Sequence, residues 1–194
     1  WVSSDVVQYV HFSADLERIY QRVRSLVIKE MGRTARQNFQ QAERMVQMQT
    51  QHALPAILRS IGHKHTMLSF GVEMVDMPQP GNGQPGGPNA DAGQPQKIPQ
   101  QKAAFVWELK NPAVWKQLFN IFGRFANQSP QLNPVDEQGF TGWRSTHGPA
   151  RFGAYRGRGH LVMTIGQGVS EQTFAMLRQP PEGDAALRGS ALMQ

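Results

Sequence analysis

One segment of the chain interleaves basic and aromatic side chains, a combination that can bind polyanions. It reads RFGAYRGRGH and runs from Arg151 to His160. Cations attract phosphates and aromatic rings stack on bases, so this pattern can serve single-stranded nucleic acid. The stricter aromatic pattern of sheet-based RNA readers is absent, and a half-buried hairpin with a polar outer face has the same composition. We select Arg151, Tyr155, Arg156 and Arg158 as a candidate binding face, and the structural hairpin is the favoured alternative.

His63 and His65 form the only closely spaced histidine pair. Two histidines at i and i+2 of a strand point the same way and could ligate a metal. No motif places a third ligand, because neither His52 nor Glu73 stands in a metal-binding spacing. The sequence therefore favours a solvated entrance to a strand, and we predict no metal and no other cofactor.

Carboxylates and serines give no catalytic pattern. Asp15 and Glu17 belong to a predicted first helical turn, where the helix dipole favours negative charge. Asp136 and Glu137 fall in a predicted loop without the apolar setting that shifts a catalytic pKa. The chain has no G-x-S-x-G nucleophile motif and no phosphate-binding glycine loop between a strand and a helix. No catalytic residue is predicted.

Composition narrows the function classes further. The 194 residues carry 20 Lys and Arg against 14 Asp and Glu, for a net charge of +6, and they include no Cys. The missing Cys excludes disulfide scaffolds, thiol catalysis and Cys-based zinc sites. The basic residues are scattered, so the charge indicates general solubility rather than a nucleic-acid footprint. No apolar run is long enough for a membrane span. The length suits one domain over 1–194.

The candidate residues must be positioned by alternating helices and strands. Periodicity and capping signals predict strands over 1–12, 65–77, 103–110, 139–146, 151–156 and 160–165. They predict helices from Leu16 to Gly32, from Thr34 to Pro55 with a restart over 56–61 that ends at Gly62, from Asn111 to Phe125, over 171–178 and over 185–193. Residues 129–137 read as a loop and 157–159 as a tight turn. Helices between hairpin-linked strands indicate an α+β fold, a mainly antiparallel sheet packed by amphipathic helices.

Residues 78–101 differ in composition from the rest. Eleven of these 24 residues are Pro or Gly, and Ile98 is their only large apolar side chain. Such a segment cannot supply a core. We predict a flexible Pro/Gly/Gln-rich loop that lengthens the turn between two hairpin strands.

Two apolar patterns predict packing faces. The first helix carries one stripe, formed by Leu16, Ile19, Tyr20, Val23, Leu26 and Val27. In the strand over 65–77, alternation predicts an inward face formed by Leu68, Phe70, Val72, Met74 and Asp76.

Four short motifs then resemble a bacterial family of exported proteins known only as a domain of unknown function. The resembling segments are the start Trp1–Asp5 before a strand, the Leu54–Leu58 segment through Gly62, the step Glu108–Ala113, and the closing strand Gly159–Gly166 with the helix that follows. Asn111 stands where the family has Asp. The resemblance covers most of the chain apart from the Pro/Gly-rich loop.

The resemblance implies an α+β fold in an extracytoplasmic protein and supplies no catalytic residues. We therefore expect a non-catalytic binding or assembly domain, a piece of a longer exported bacterial protein, with a protein or envelope component as partner. The first alternative is a nucleic-acid or polyanion binder, whose affinity would fall steeply with salt. The second is a hydrolase, which would need a pocket that gathers His, Asp and Ser.

Overall fold

The computed structural model describes residues 6–76, 97–145 and 151–178, which form four helices and seven strands. The elements are β1 Gln8–Ser13, α1 Leu16–Thr50, α2 Leu54–Ser60, β2 Ile61–Asp76, β3 Lys97–Leu109, α3 Pro112–Ala126, β4 Leu132–Glu137, β5 Phe140–Ser145, β6 Phe152–Gly157, β7 His160–Ile165 and α4 Val169–Arg178. One sheet has the order β1-β2-β3-β7-β6-β5-β4, and every neighbouring pair is antiparallel. The predicted α+β class is confirmed.

Helix α1 is two helices that fold back on each other at Gly32, where φ is 67° and ψ is −140°. This backbone conformation suits glycine, which lacks Cβ. The arms lie antiparallel: the Tyr20 hydroxyl donates to Glu43 Oε1 at 2.7 Å, and Arg24 Nε donates to the same oxygen at 2.9 Å. The Tyr20 ring meets Phe39 edge-on. The predicted break at Gly32 is confirmed, and we call residues 16–50 the helical hairpin.

Only part of the apolar stripe of the first arm packs inside this hairpin. Tyr20 and Val27 are half-buried. Ile19, Val23 and Leu26 are exposed by 49%, 49% and 60%. The hairpin thus keeps an apolar row open to its surroundings.

Strand β3 begins at Lys97, so the prediction of a loop over 78–101 is wrong for residues 97–101. These residues pair with Val72–Asp76 of β2. Cross-strand pairing has overridden the weak strand propensity of a Pro- and Gln-containing stretch. Residues 78–96 lie outside the described residues, as do the predicted helix over 185–193 and the first five residues of the predicted strand over 1–12.

A bulge in β2 reverses part of its predicted inward face. The register shifts between Ser69 and Val72, and Gly71 there has a φ of 92°. An extra residue in one strand interrupts the alternation of side chains. Leu68 and Phe70 are buried as predicted, whereas Val72 and Met74 are exposed.

Strands β4 to β7 form a meander joined partly by two-residue turns. Gln138 and Gly139 connect β4 to β5, and Arg158 and Gly159 connect β6 to β7; all four have positive φ. Two successive positive φ values are the mark of a type I′ hairpin turn. The predicted turn over 157–159 is confirmed. The predicted loop over 129–137 is wrong in its second half, because β4 pairs there as an edge strand, where Pro134 is tolerated.

Each face of the sheet packs a helix. On the first, the α4 face, the ring of Phe174 stacks on Phe140 at 4.4 Å and meets Tyr155 edge-on at 4.9 Å between centroids. A second cluster continues this core with Leu68, Phe70, Ala104, Val169 and Met176. On the opposite, α3 face, the cluster consists of Leu109, Phe119 and Leu161, with Ile61, Trp107, Trp115 and Trp143 packed against it.

Helix α3 begins as the Asn-Pro signal predicts. Asn111 Oδ1 accepts from the backbone N–H of Ala113 at 3.2 Å, and Pro112 occupies the first turn. Beyond α3 the α3 face is partly uncovered: a cross-strand row in register across four strands is only partly buried, and its members are Val10, Met67, Phe105 and Met163. None of the helices in the described parts of the chain combines the length and the apolar character needed to cross a membrane.

Candidate functional site

The four residues selected from the sequence do not share one surface. Tyr155 is fully buried on the α4 face. Arg156 points to the opposite face, with its guanidinium carbon 5.8 Å from the centre of the Phe119 ring. Arg158 lies in the β6–β7 turn and donates from Nε to the Gln138 carbonyl at 3.1 Å. Arg151 is exposed and meets Tyr155 at a cavity. Whether the four bind a partner stays a prediction.

This cavity, the Tyr155 pocket, has a volume of about 180 Å³ and lies between β5, β6, β7 and the first turn of α4. Gly166 and Gly168, with φ of 103° and 75°, turn the chain from β7 directly into α4. The turn brings the helix start to the pocket mouth. The polar lining consists of Arg144, Arg151, Tyr155, Thr164, Ser170 and Glu171, together with Gln167.

The Tyr155 hydroxyl is buried in this lining and has no hydrogen-bond partner among the described residues. Burial raises the pKa of Tyr155, against smaller opposing effects from the hydroxyls of Ser170 and Thr164, neither of which lies in hydrogen-bond geometry. The phenol is therefore neutral at physiological pH and able to donate. A buried, unsatisfied hydroxyl costs about 1–3 kcal/mol, so a ligand that accepts from it would gain correspondingly.

One arginine of the pocket lining is left without an ion pair. Arg144 is ion-paired with Glu171 and with Glu137, the latter at 3.3 Å. Arg151 makes no ion pair within the described segments. The four groups together carry no net charge, and the start of α4 adds the partial positive charge of its free N–H groups. An anion in the pocket would therefore be attracted by Arg151 and by the helix start.

Glu171 holds Arg144 in place and makes the site acid-sensitive. Burial alone would raise the pKa of Glu171, but its own backbone N–H, the Ser170 hydroxyl and the Arg144 guanidinium together lower it below 4.5. A carboxyl group whose pKa is lower in the folded than in the unfolded state contributes its full stabilisation at pH values above the unfolded-state pKa. That stabilisation is lost as the pH falls through the folded-state pKa.

We expect Glu171→Gln to lower the free energy of unfolding at pH 7 by about 0.5 kcal/mol, the usual size for a part-exposed ion pair. The deficit should shrink as pH falls below 4.5 and the wild-type carboxyl becomes protonated, because the pair is then lost in both proteins. Urea unfolding of both proteins from pH 3 to pH 7 measures the effect. A difference that is constant across this range would contradict the assignment.

A second cleft, of about 410 Å³, lies at the other end of the α4 face. Its lining includes His11, Lys64, Glu108 and His160. His11 Nδ1 shares a hydrogen bond of 3.0 Å with the Thr66 hydroxyl, and His160 Nδ1 is buried with no hydrogen-bond partner among the described residues. No three His, Asp or Glu side chains in the described ranges are grouped to hold a metal ion. This cleft is lined by His, Glu and Thr and the Tyr155 pocket by Ser and Glu without His, so neither holds the set of His, Asp and Ser that was expected for the hydrolase alternative, which stays a prediction.

The other residues selected from the sequence have structural contacts. His65 is buried and donates from Nε2 to the Ala14 carbonyl at 2.9 Å, whereas His63 is exposed. The predicted solvated strand entrance is therefore wrong for His65, whose side chain is enclosed between β1 and the sheet, as its bond to Ala14 and its contact with the Phe12 ring show. Asp15 caps α1 by accepting from the Arg18 N–H, and Glu17 pairs with Arg59 at 2.7 Å.

Sequence reasoning missed Arg144 and Glu171 as members of the pocket. The Ser170 hydroxyl of the same lining donates to Glu171 Oε2 at 2.8 Å. The available signal was the order strand, Gly-x-Gly, helix at the end of β7. Comparison of the chain with protein-family profiles, with curated proteins and with solved structures gives no match.

Proposed function

We propose that this chain is a non-catalytic binding domain whose Tyr155 pocket receives one small oxyanion, a carboxylate or a phosphate group, carried by a partner in the bacterial envelope. One observation carries the proposal: the Tyr155 hydroxyl is fully buried and has no hydrogen-bond partner among the described residues, and Tyr155 lines a cavity together with Arg151 and the start of α4. The extracytoplasmic location is part of the proposal and rests on the resemblance alone.

The shape and charge of the pocket agree with a single anionic group. A cavity of about 180 Å³ has room for one carboxylate or phosphate group. An oxyanion would accept from the Tyr155 hydroxyl and from Arg151, and charge-assisted hydrogen bonds are about twice as strong as neutral ones. The nucleic-acid alternative has less support, because the basic and aromatic side chains of 151–160 are split between two faces of the sheet.

Tyr155→Phe tests the proposal, because it removes the hydroxyl and keeps the ring that packs on Phe174. The wild-type protein should show a Tm that rises with acetate or phosphate relative to chloride at equal ionic strength. A ligand concentration of 100 times the Kd should raise the free energy of unfolding by about 2.7 kcal/mol. Tyr155→Phe should keep or raise the Tm without ligand, since an unsatisfied hydroxyl is gone, and should lose the ligand-dependent rise.

Arg151→Gln should weaken the apparent affinity for acetate or phosphate about tenfold, as measured from the ligand-dependent rise in Tm. The matched control is Arg124→Gln, which neutralises an exposed arginine on α3 and should behave as wild type. An undiminished anion response in Tyr155→Phe, or no anion response in the wild type, would overturn the proposal.

A further inference from the structure

The bend of the helical hairpin exposes large apolar side chains among cations. Leu26 is 60% exposed and Met31 68% exposed, on the arm that leads into Gly32. Lys29, Arg33 and Arg36 are exposed around the same bend. We call these five residues the hairpin tip. Its apolar residues take no part in the hairpin seam, where Tyr20 and Phe39 meet.

The helical hairpin holds most of the net charge of the chain. It contains seven Lys or Arg residues and three Glu residues, so it contributes +4 of the total of +6. Two of the three glutamates are already paired: Glu17 with Arg59 and Glu43 with Arg24. The third, Glu30, is exposed beside the tip, so residues 29–36 carry a net charge of +2. The cations of the tip make no ion pair within the described residues.

The hairpin is anchored at its base, far from the tip. On the first arm, Arg59 binds Glu17. At the end of the second arm, His52 Nε2 donates to Gln117 Oε1 at 3.0 Å, and Gln117 Nε2 donates to Gln51 at 3.3 Å. Each arm has roughly 16 residues, and a helix rises about 1.5 Å per residue. The tip therefore lies about 24 Å from the contacts that hold the hairpin to the body.

We propose that the hairpin tip docks on the surface of an anionic lipid bilayer. Cations attract acidic headgroups, and Leu26 and Met31 can enter the boundary between headgroups and acyl chains. A second copy of the chain is a poorer occupant, because a symmetric contact would bring two hairpins of charge +4 together. Nucleic acid would use the cations and leave the exposed apolar residues without a role.

The absence of Cys allows a site-specific test on the whole chain. Met31→Cys, labelled with an environment-sensitive dye, should show a blue-shifted and stronger emission with vesicles of phosphatidylcholine and phosphatidylglycerol (3:1) at 50 mM salt. Pure phosphatidylcholine vesicles should give little change. A dye on Asn120→Cys, at an exposed position of α3, is the matched control and should not respond.

Charge variants separate the proposed tip from general basicity. The affinity for the same anionic vesicles, measured by co-sedimentation, should fall on the order of a hundredfold in Lys29→Gln/Arg33→Gln/Arg36→Gln. This corresponds to about fivefold for each cation. Lys102→Gln/Lys116→Gln/Arg124→Gln removes the same charge elsewhere and should change binding less than threefold. Circular dichroism is the control for folding, and both triple variants should keep the helix content of the wild type.

Three results would overturn the proposal: no binding of the wild type to anionic vesicles, equal losses in the two triple variants, or a dye response that follows protein concentration without lipid. The last would assign the tip to a second copy. Loss of anion binding in the Tyr155 pocket leaves this test unaffected, since the two sites share no residue.

Discussion

Phe174→Ala is expected to lower the free energy of unfolding by about 3–5 kcal/mol, the usual cost of emptying a buried aromatic site. Phe174 is completely buried and is the one side chain of α4 that stacks on Phe140 and meets Tyr155. Its removal opens a cavity between α4 and the sheet. For a chain of this length the Tm should fall by about 10 °C or more. Chemical and thermal unfolding measure both quantities.

Phe125→Ala is the matched control. Phe125 lies on α3 and is 69% exposed, so the same chemical change should cost at most about 0.5 kcal/mol. If the two alanine variants were equally stable, α4 would not pack on the sheet as described, and the Tyr155 pocket would lose its helical wall.

Gly142→Ala is expected to cost about 3 kcal/mol, at the upper end for overpacking. A Cβ at this position of β5 would lie 2.0 Å from the Ala154 carbonyl oxygen and 2.7 Å from the Tyr155 Cα. Backbone atoms of a neighbouring strand cannot move aside as a flexible side chain can. The variant should therefore push β6 away from β5 and disturb Tyr155. Urea unfolding gives the stability change.

Gly159→Ala distinguishes overlap from backbone strain. Gly159 has a φ of 76° and open space around it, so its substitution by alanine should cost only about 1 kcal/mol. A Gly142→Ala variant as stable as the wild type would contradict the prediction, because it would show that β5 and β6 can move apart without a loss of stability.

The parts of the fold that local signals control were predictable. The Gly32 break, the Asn111 cap and the turn at Arg158 and Gly159 each follow from the conformational limits of one or two residues. Strand β4 was missed because Asn133, Pro134 and Asp136 have low strand propensity, and pairing with β5 decides the outcome. The β2 bulge likewise depends on the partner strand.

The candidate site was predictable only in part. Arg151 and Tyr155 were selected for their types, and they do meet at the pocket. Arg144 comes from β5 and Glu171 from α4, and only the sheet order brings them together. For Tyr155 the chemistry suggested an exposed binding face, but strand alternation places its side chain in the core, where it also lines the pocket.

The position of β4 at the end of the sheet bears on how the protein behaves at high concentration. An open sheet edge offers a template on which another chain can add a strand and begin to aggregate. On β4 this edge includes Pro134, which has no amide hydrogen to donate, and Asp136, whose negative charge repels a second copy of itself. Pro134 and Asp136 lower the strand propensity of this segment, and they also hinder edge-to-edge growth of the sheet.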